Sequence, residues 1–352
     1  MPRRSKHTGP STLVVLLVAL LTAAPGLAAC SSKVVDVPPP TIEPAGAAVS
    51  PPVSVTPAGV VHQLGGAPQA ALFDASSATL VVLRPGADPT AVSSLTVLAG
   101  SAPPRTIALP GPASALADDG DGFAYLSTRG GYFVVDLRAG TASRVDITGQ
   151  ADTDFTAIAR RADGKLVLGS ADGAVFILAS PGAAATVVGE QTKIFARVDS
   201  IVTQGNTAVV LDRGQTSVTA VGPDGRAQQS LRAGDGATTL AADPAGRVLV
   251  ANTRGDELLV FGVDPLIMRQ RYPVPLAPYG LTGSSQLAWV SQTAANIVIG
   301  YDLTTGIPVE KVRYPTVQQP NILAFDDAED TLYVISGSGA GVQVIDHAAA
   351  PR

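Results

Sequence analysis

The stretch NILAFDDAEDTLYVISGSGAGVQVIDH, residues 321–347, holds three short β-type runs separated by polar turns, and no fourth. Upstream, the same grammar recurs with a fourth run. Seven apolar-small segments anchor the copies: AALFD, SALAD, TAIAR, DSIVT, TTLAA, YGLTG and NILAF. Their central residues, Leu72, Leu116, Ile158, Ile201, Leu240, Leu281 and Leu323, follow at intervals of 44, 42, 43, 39, 41 and 42. A period near 40 marks a repeat architecture. Each anchor leads through a Gly/Asp-rich turn to runs such as FAYLST, AVVLD or VLVAN, then YFVVDL, SVTAV or LLVFGV. A fourth run closes most units: SRVDI, ATVV, QSLRA, RQRYPV, VEKVRYP. Period-two alternation between tight turns is the hairpin signature. Seven four-stranded units without linkers predict an all-β, seven-bladed β-propeller of antiparallel blades over residues 59–347. A β-sandwich array fits evenly spaced repeats less well.

The missing run has a candidate supplier. Residues 59–64, GVVHQL, precede the first unit and read as the outer strand of the last blade. Such closure removes the open edge that would otherwise invite aggregation. Two stretches, QLAWVSQTAANIVIGYDLTTGIPVEKVRYP and TLYVISGSGAGVQVID, resemble YVTN-type, YncE-like bacterial propeller repeats; RVLVANTRGDELLVFGVDP matches more loosely. The resemblance covers about 110 residues. It implies an envelope propeller used for binding and transfers no catalytic residues.

The N-terminus reads as an export signal. A basic head (Arg3, Arg4, Lys6) precedes STLVVLLVALLTAAPGLAA, and the apolar core is too short to span a membrane. Leu27-Ala28-Ala29-Cys30 resembles the lipobox of bacterial lipoproteins, in which the cysteine receives a diacylglyceryl group and becomes the mature N-terminus. The resemblance makes Cys30, the sole cysteine, a lipidation site after a signal peptide of residues 1–29. An ordinary signal cut near Ala29 is the alternative, and Arg3-Arg4 also allows a twin-Arg route. Two or more acyl chains suffice for stable anchoring. Residues 30–58, with seven prolines and no apolar periodicity, read as a solvated, partly polyproline tether, and 348–352 as a tail.

Losing the leader takes the formal charge from −5 to −8, which excludes nucleic acid as a partner and argues against a polybasic membrane patch. Scarce Lys and abundant Arg, Ala, Gly and Pro suggest a GC-rich, actinobacterial source.

Catalytic motifs are absent: no H-E-x-x-H, no G-x-S-x-G, no Walker loop. The mature chain keeps two histidines, His62 and His347, which closure could bring together beside Asp346 as a metal pair. Two solvated side chains are the simpler reading, since metal sites need more ligands. Asp118-Asp119-Gly120-Asp121-Gly122 lacks calcium-loop spacing and reads as a turn. Arg254-Gly255-Asp256 spells an adhesion tripeptide but sits where a hairpin needs Gly-Asp. Tyr279, Trp289 and Tyr301 could line a sugar or lipid surface, or pack between blades.

The turns LRPGAD, STRGGY, LDRGQT and NTRGDE place Arg84, Arg129, Arg213 and Arg254 after the second strands of units one, two, four and five. Such turns gather on one propeller face, so these residues are candidate ligands for an anion, unless Asp88, Asp212 or Asp256 neutralise them. The expectation is a monomeric lipoprotein on the extracytoplasmic side of the cell membrane. Its propeller binds or scaffolds an envelope protein or an anionic glycan or lipid, with no cofactor, no metal and no enzymatic activity. The alternatives are a propeller enzyme of lactonase or quinoprotein type, and a structural envelope protein without a specific ligand.

Overall fold

The computed structural model describes residues 39–100, 102–179 and 185–350. The expected signal peptide, Cys30 and the first part of the expected tether lie outside the described residues. Seven antiparallel sheets form, each beginning with the strand that carries a repeat anchor: Ala70–Asp74, Ala115–Asp118, Phe155–Arg160, Ser200–Gln204, Ala237–Asp243, Pro278–Gly283 and Pro320–Asp326. These first strands neighbour one another in cyclic order, the last against the first, so the sheets close into a seven-bladed propeller. Among the described residues there is no helix.

Burial explains the sequence pattern within a blade. Second and third strands are covered on both faces, and so read as continuous apolar runs: Leu166–Ser170 and Ala174–Leu178 are buried throughout. Outer strands have one wet face; Leu266–Pro273 alternates covered residues, Leu266 buried and the others half-buried, with exposed ones. Trp289, fully buried, stacks on Phe325 of the next blade with ring centroids 5.7 Å apart. The packing role for Trp289 therefore prevails over a ligand surface, and Tyr301 is buried as well. Polar side chains stitch neighbouring blades: Thr156 Oγ1 donates to the Val198 carbonyl at 2.5 Å, and Thr203 Oγ1 to that of Arg160 at 2.7 Å.

Ring closure follows the expected route. Val60–His62 pairs antiparallel with Val342–Ile345, placing Val60 opposite Val344 and His62 opposite Val342. Gly59 makes the entry possible. Its φ is +70°, and a Cβ there would sit 2.0 Å from the Val344 carbonyl oxygen, so only glycine fits. Three local features depart from the seven-times-four scheme. Ala185–Thr186 adds a short parallel strand outside Thr141–Ile147 of blade two. Beyond the last strand, Ala348 and Ala349 are buried, and the Ala348 carbonyl accepts a 2.9 Å bond from Tyr314 Oη. Third, residues 41–51 lie against the propeller, where a solvated tether was expected, while residues 52–56 stay exposed. The N–H groups of Ile42, Ala48, Ser50 and Ala58 donate to the propeller, and the prolines have none to satisfy.

Candidate functional site

Turns between second and third strands share one face with the connectors that lead from blade to blade. On blades four to seven this face is occupied by residues 41–51, TIEPAGAAVSP, an extended strap. At its start, the Ile42 N–H donates to the Gly214 carbonyl at 2.8 Å. Arg254 Nη2 donates to the Glu43 carbonyl at 2.8 Å, and Arg213 Nη2 to that of Ala45. Ala45 is buried, seated against Gly236, whose missing side chain makes the room.

Further along, Gln319 reads the strap as a neighbouring β-strand would. Its Nε2 donates to the Ala48 carbonyl at 2.8 Å while its Oε1 accepts the Ser50 N–H at 3.0 Å. The Ala48 N–H donates to Thr293 Oγ1 at 3.2 Å, and Ser50 Oγ to the Thr293 carbonyl at 2.5 Å. Ser50 Oγ also accepts the Gln319 N–H at 3.0 Å. Gln318 Nε2 reaches the Ser50 carbonyl at 3.2 Å, and Asn296 Nδ2 that of Pro51 at 2.8 Å. Gln319 and Asn296 both take left-handed backbone (φ +58° and +52°). Asn tolerates this conformation; for Gln it is uncommon, and such outliers gather where side chains must be aimed.

The energetics are near balance. Ten hydrogen bonds at a net of about 1 kcal/mol each oppose the ordering of eleven residues at about 1–2 kcal/mol each, a cost that Pro44 and Pro51 reduce. Little apolar area adds to this, since Val49 is 91% exposed and Ile42 43%.

The four arginines divide accordingly. Arg213 and Arg254 hold strap carbonyls. Arg129 reaches Asp152 at 3.4 Å with both side chains well exposed, a pairing of little energetic weight. Arg84 is half-buried beside Gly66. Among the described residues, Asp88, Asp212 and Asp256 form no ion pair with these arginines; their carboxylates accept backbone N–H groups of nearby loops. The adhesion tripeptide is spent in the same way, Asp256 Oδ1 accepting the Ala277 N–H at 2.9 Å while Arg254 serves the strap. Sequence reasoning missed Gln318, Gln319, Asn296 and Thr293. Their one signal was polarity in a turn between second and third strands, for Thr293 and Asn296, and in a blade-to-blade connector, for Gln318 and Gln319.

On the opposite face, Asp119–Gly122 is a turn, and Asp118, the last residue of the strand before it, has chemical character. Burial, then the neighbouring carboxylate of Asp74 on blade one, pushes Asp118 up to about 6; Arg160 of blade three opposes this. Asp118 can thus exchange a proton under mildly acidic conditions.

At the seam between the last and first blades, a groove of about 890 Å³ is lined by Val60, Val344, Tyr333, Asp326, Asp346, His62 and His347. Antiparallel pairing separates His62, opposite Val342, from His347 by five residues, roughly 16 Å along a strand. Both are exposed. Among the described residues, no group of three or more His, Cys, Asp or Glu side chains could hold a metal.

No family model matches the chain, and no curated protein does. Solved structures do. A streptogramin B lyase superposes with a TM-score of 0.66 at 11% identity, covering 81% of this chain and 96% of the other. Virginiamycin B lyase from Staphylococcus aureus gives 0.65 at 11% identity, covering 81% and 99%. U3-55K gives 0.68 at 12% identity, covering 83% and 100%. At such identities the likeness is one of fold. It corrects one expectation: absence of enzymatic activity does not follow, because propellers of this shape include lyases as well as non-enzymes. Fold does not choose function, so the missing short motifs do not exclude an activity.

Proposed function

We propose that this protein is a lipid-anchored, extracytoplasmic propeller that holds an envelope partner on the face bearing the turns between second and third strands. The observation that carries the reading is that this face already holds a polypeptide, residues 41–51, through side chains from four blades. Arg84 and Arg129, on blades one and two, lie beyond the strap's contacts and supply positive charge for an acidic protein segment, glycan or headgroup. The lipobox-like LAAC supports anchoring through Cys30, and no helix among the described residues is long and apolar enough to cross a membrane.

Two experiments test this. Cys30→Ala should move the protein from the membrane to the soluble fraction; full retention after a high-salt wash sinks the anchor. A photocrosslinker at Arg129 should capture a partner in intact envelopes, while one at Asp224, in a turn between third and fourth strands, should not. Capture from Asp224 alone, or capture in vitro by the Arg129 derivative that Arg84→Glu leaves unchanged, overturns the choice of face.

A further inference from the structure

The strap resembles a bound ligand more than a structural element. Apart from the Ser50 hydroxyl, every strap group that hydrogen-bonds to the face is a main-chain N–H or C=O. The face therefore reads an extended backbone and tests side chains at two places only. Position 45 must be small because it is pressed against Gly236, and position 50 must be small because Ser50 is buried. Pro fits at 44 and 51, where no N–H is asked for. The strap is also dispensable to closure: the ring is completed by Val60–His62, and residues 52–56 between strap and closing strand are exposed.

From these observations we infer that the face is a receptor for an extended, proline- and alanine-rich segment of another polypeptide, and that residues 41–51 occupy it in cis until such a segment displaces them. The inference rests on the proposed binding role and names the class of partner. Recognition is by main chain, as in strand addition, but the reading groups are side-chain amides and guanidiniums instead of a sheet edge. A pre-extended Pro-rich segment loses little freedom on binding, which favours it over a flexible competitor. The strap, tethered by a short exposed linker, competes at an effective concentration of order mM. Only a multivalent or locally concentrated partner displaces it, so the strap sets a threshold for binding.

The test uses the full chain and a fluorescent synthetic peptide of residues 39–53 as probe. Ala45→Trp cannot be seated against Gly236 and lifts the strap while leaving the receptor residues intact. Its affinity for the probe should be at least tenfold above wild type, the competing occupant having been removed. Adding Gln319→Ala should cut that affinity at least tenfold, and a probe carrying Trp at position 45 should not bind. Equal binding to wild type and Ala45→Trp, or indifference to Gln319→Ala, overturns the inference. Should Ala45→Trp fold poorly, hydrogen exchange on the wild type decides: excess probe should speed exchange at the strap amides of Ala48 and Ser50, and unchanged exchange at mM probe overturns the inference. The two readings fail separately. Probe binding without envelope capture refutes the platform, whereas capture from Arg129 without probe binding refutes the partner class.

Discussion

Two N-terminal segments, the strap at 41–51 and the closing strand at 60–62, are eight residues apart and attach to the same ring by different physics. Val60–His62 enters a backbone ladder, continues the sheet of blade seven and covers its apolar edge. The strap makes no ladder; side chains of four blades grip its main chain one group at a time. A ladder adds to a cooperative sheet and cannot leave without exposing an edge and its core. A row of separate side-chain contacts, close to entropic balance, can. One segment is fold; the other is an occupant of the fold.

The sharpest way to break this comparison is paired deletion. Removing residues 59–65 should abolish the cooperative thermal transition or lower it by well over ten degrees. Removing 41–51 should shift it by a few degrees at most, since the strap contributes little buried apolar area. Matching melting curves would show that both segments are structural.

A single-residue version contrasts two glycines. Gly59→Val places a side chain on the Val344 carbonyl at positive φ and should cost more than about 3 kcal/mol in chemical denaturation, because backbone on both sides must move. Gly46→Ala, with nothing within 4 Å of the added Cβ, should be nearly neutral.

Acid titration of Asp118 probes the ring on the face away from the strap. Because Asp118 titrates near 6 in the fold but near 3.8 when unfolded, the native state binds the extra proton between those values. Stability should therefore fall as pH rises from about 4 to about 6, by no more than about 3 kcal/mol. Asp118→Asn should remove that slope and raise the melting temperature at pH 7 but not below pH 4. Strap exchange, measured alongside and corrected for intrinsic rates, should not follow this profile.

The smallest expected effect is local. Gln319→Ala removes both amide contacts to the strap and should accelerate exchange at Ala48 and Ser50 by about tenfold, as expected for bonds worth roughly 1–2 kcal/mol, with the global melting temperature unchanged. Loss of global stability in this variant would return the strap to the fold.

The blade number, the strand grammar and the supplier of the missing outer strand were legible in the chain because they follow from periodicity. Leu72 through Leu323 recur near every 40 residues, alternation marks the strands, and GVVHQL is a β-type run left over where one is needed. The four arginines were legible as residues on one face, since the turn between second and third strands has a constant place in every blade. What Arg213 and Arg254 touch was not. Glu43 lies 211 residues from Arg254, and Ala45 168 from Arg213. A proline-rich segment with no period carries no local mark of where it will rest. Gln319 likewise gains its role only when ring closure sets it beside Ala48 and Ser50, and Asp118 gains its proton affinity only when Asp74 of another blade is buried with it. Local periodicity dictates which backbone pairs with which neighbour. Contacts made by single side chains across the ring depend on the curvature that all seven blades impose together, and only the closed structure decides them.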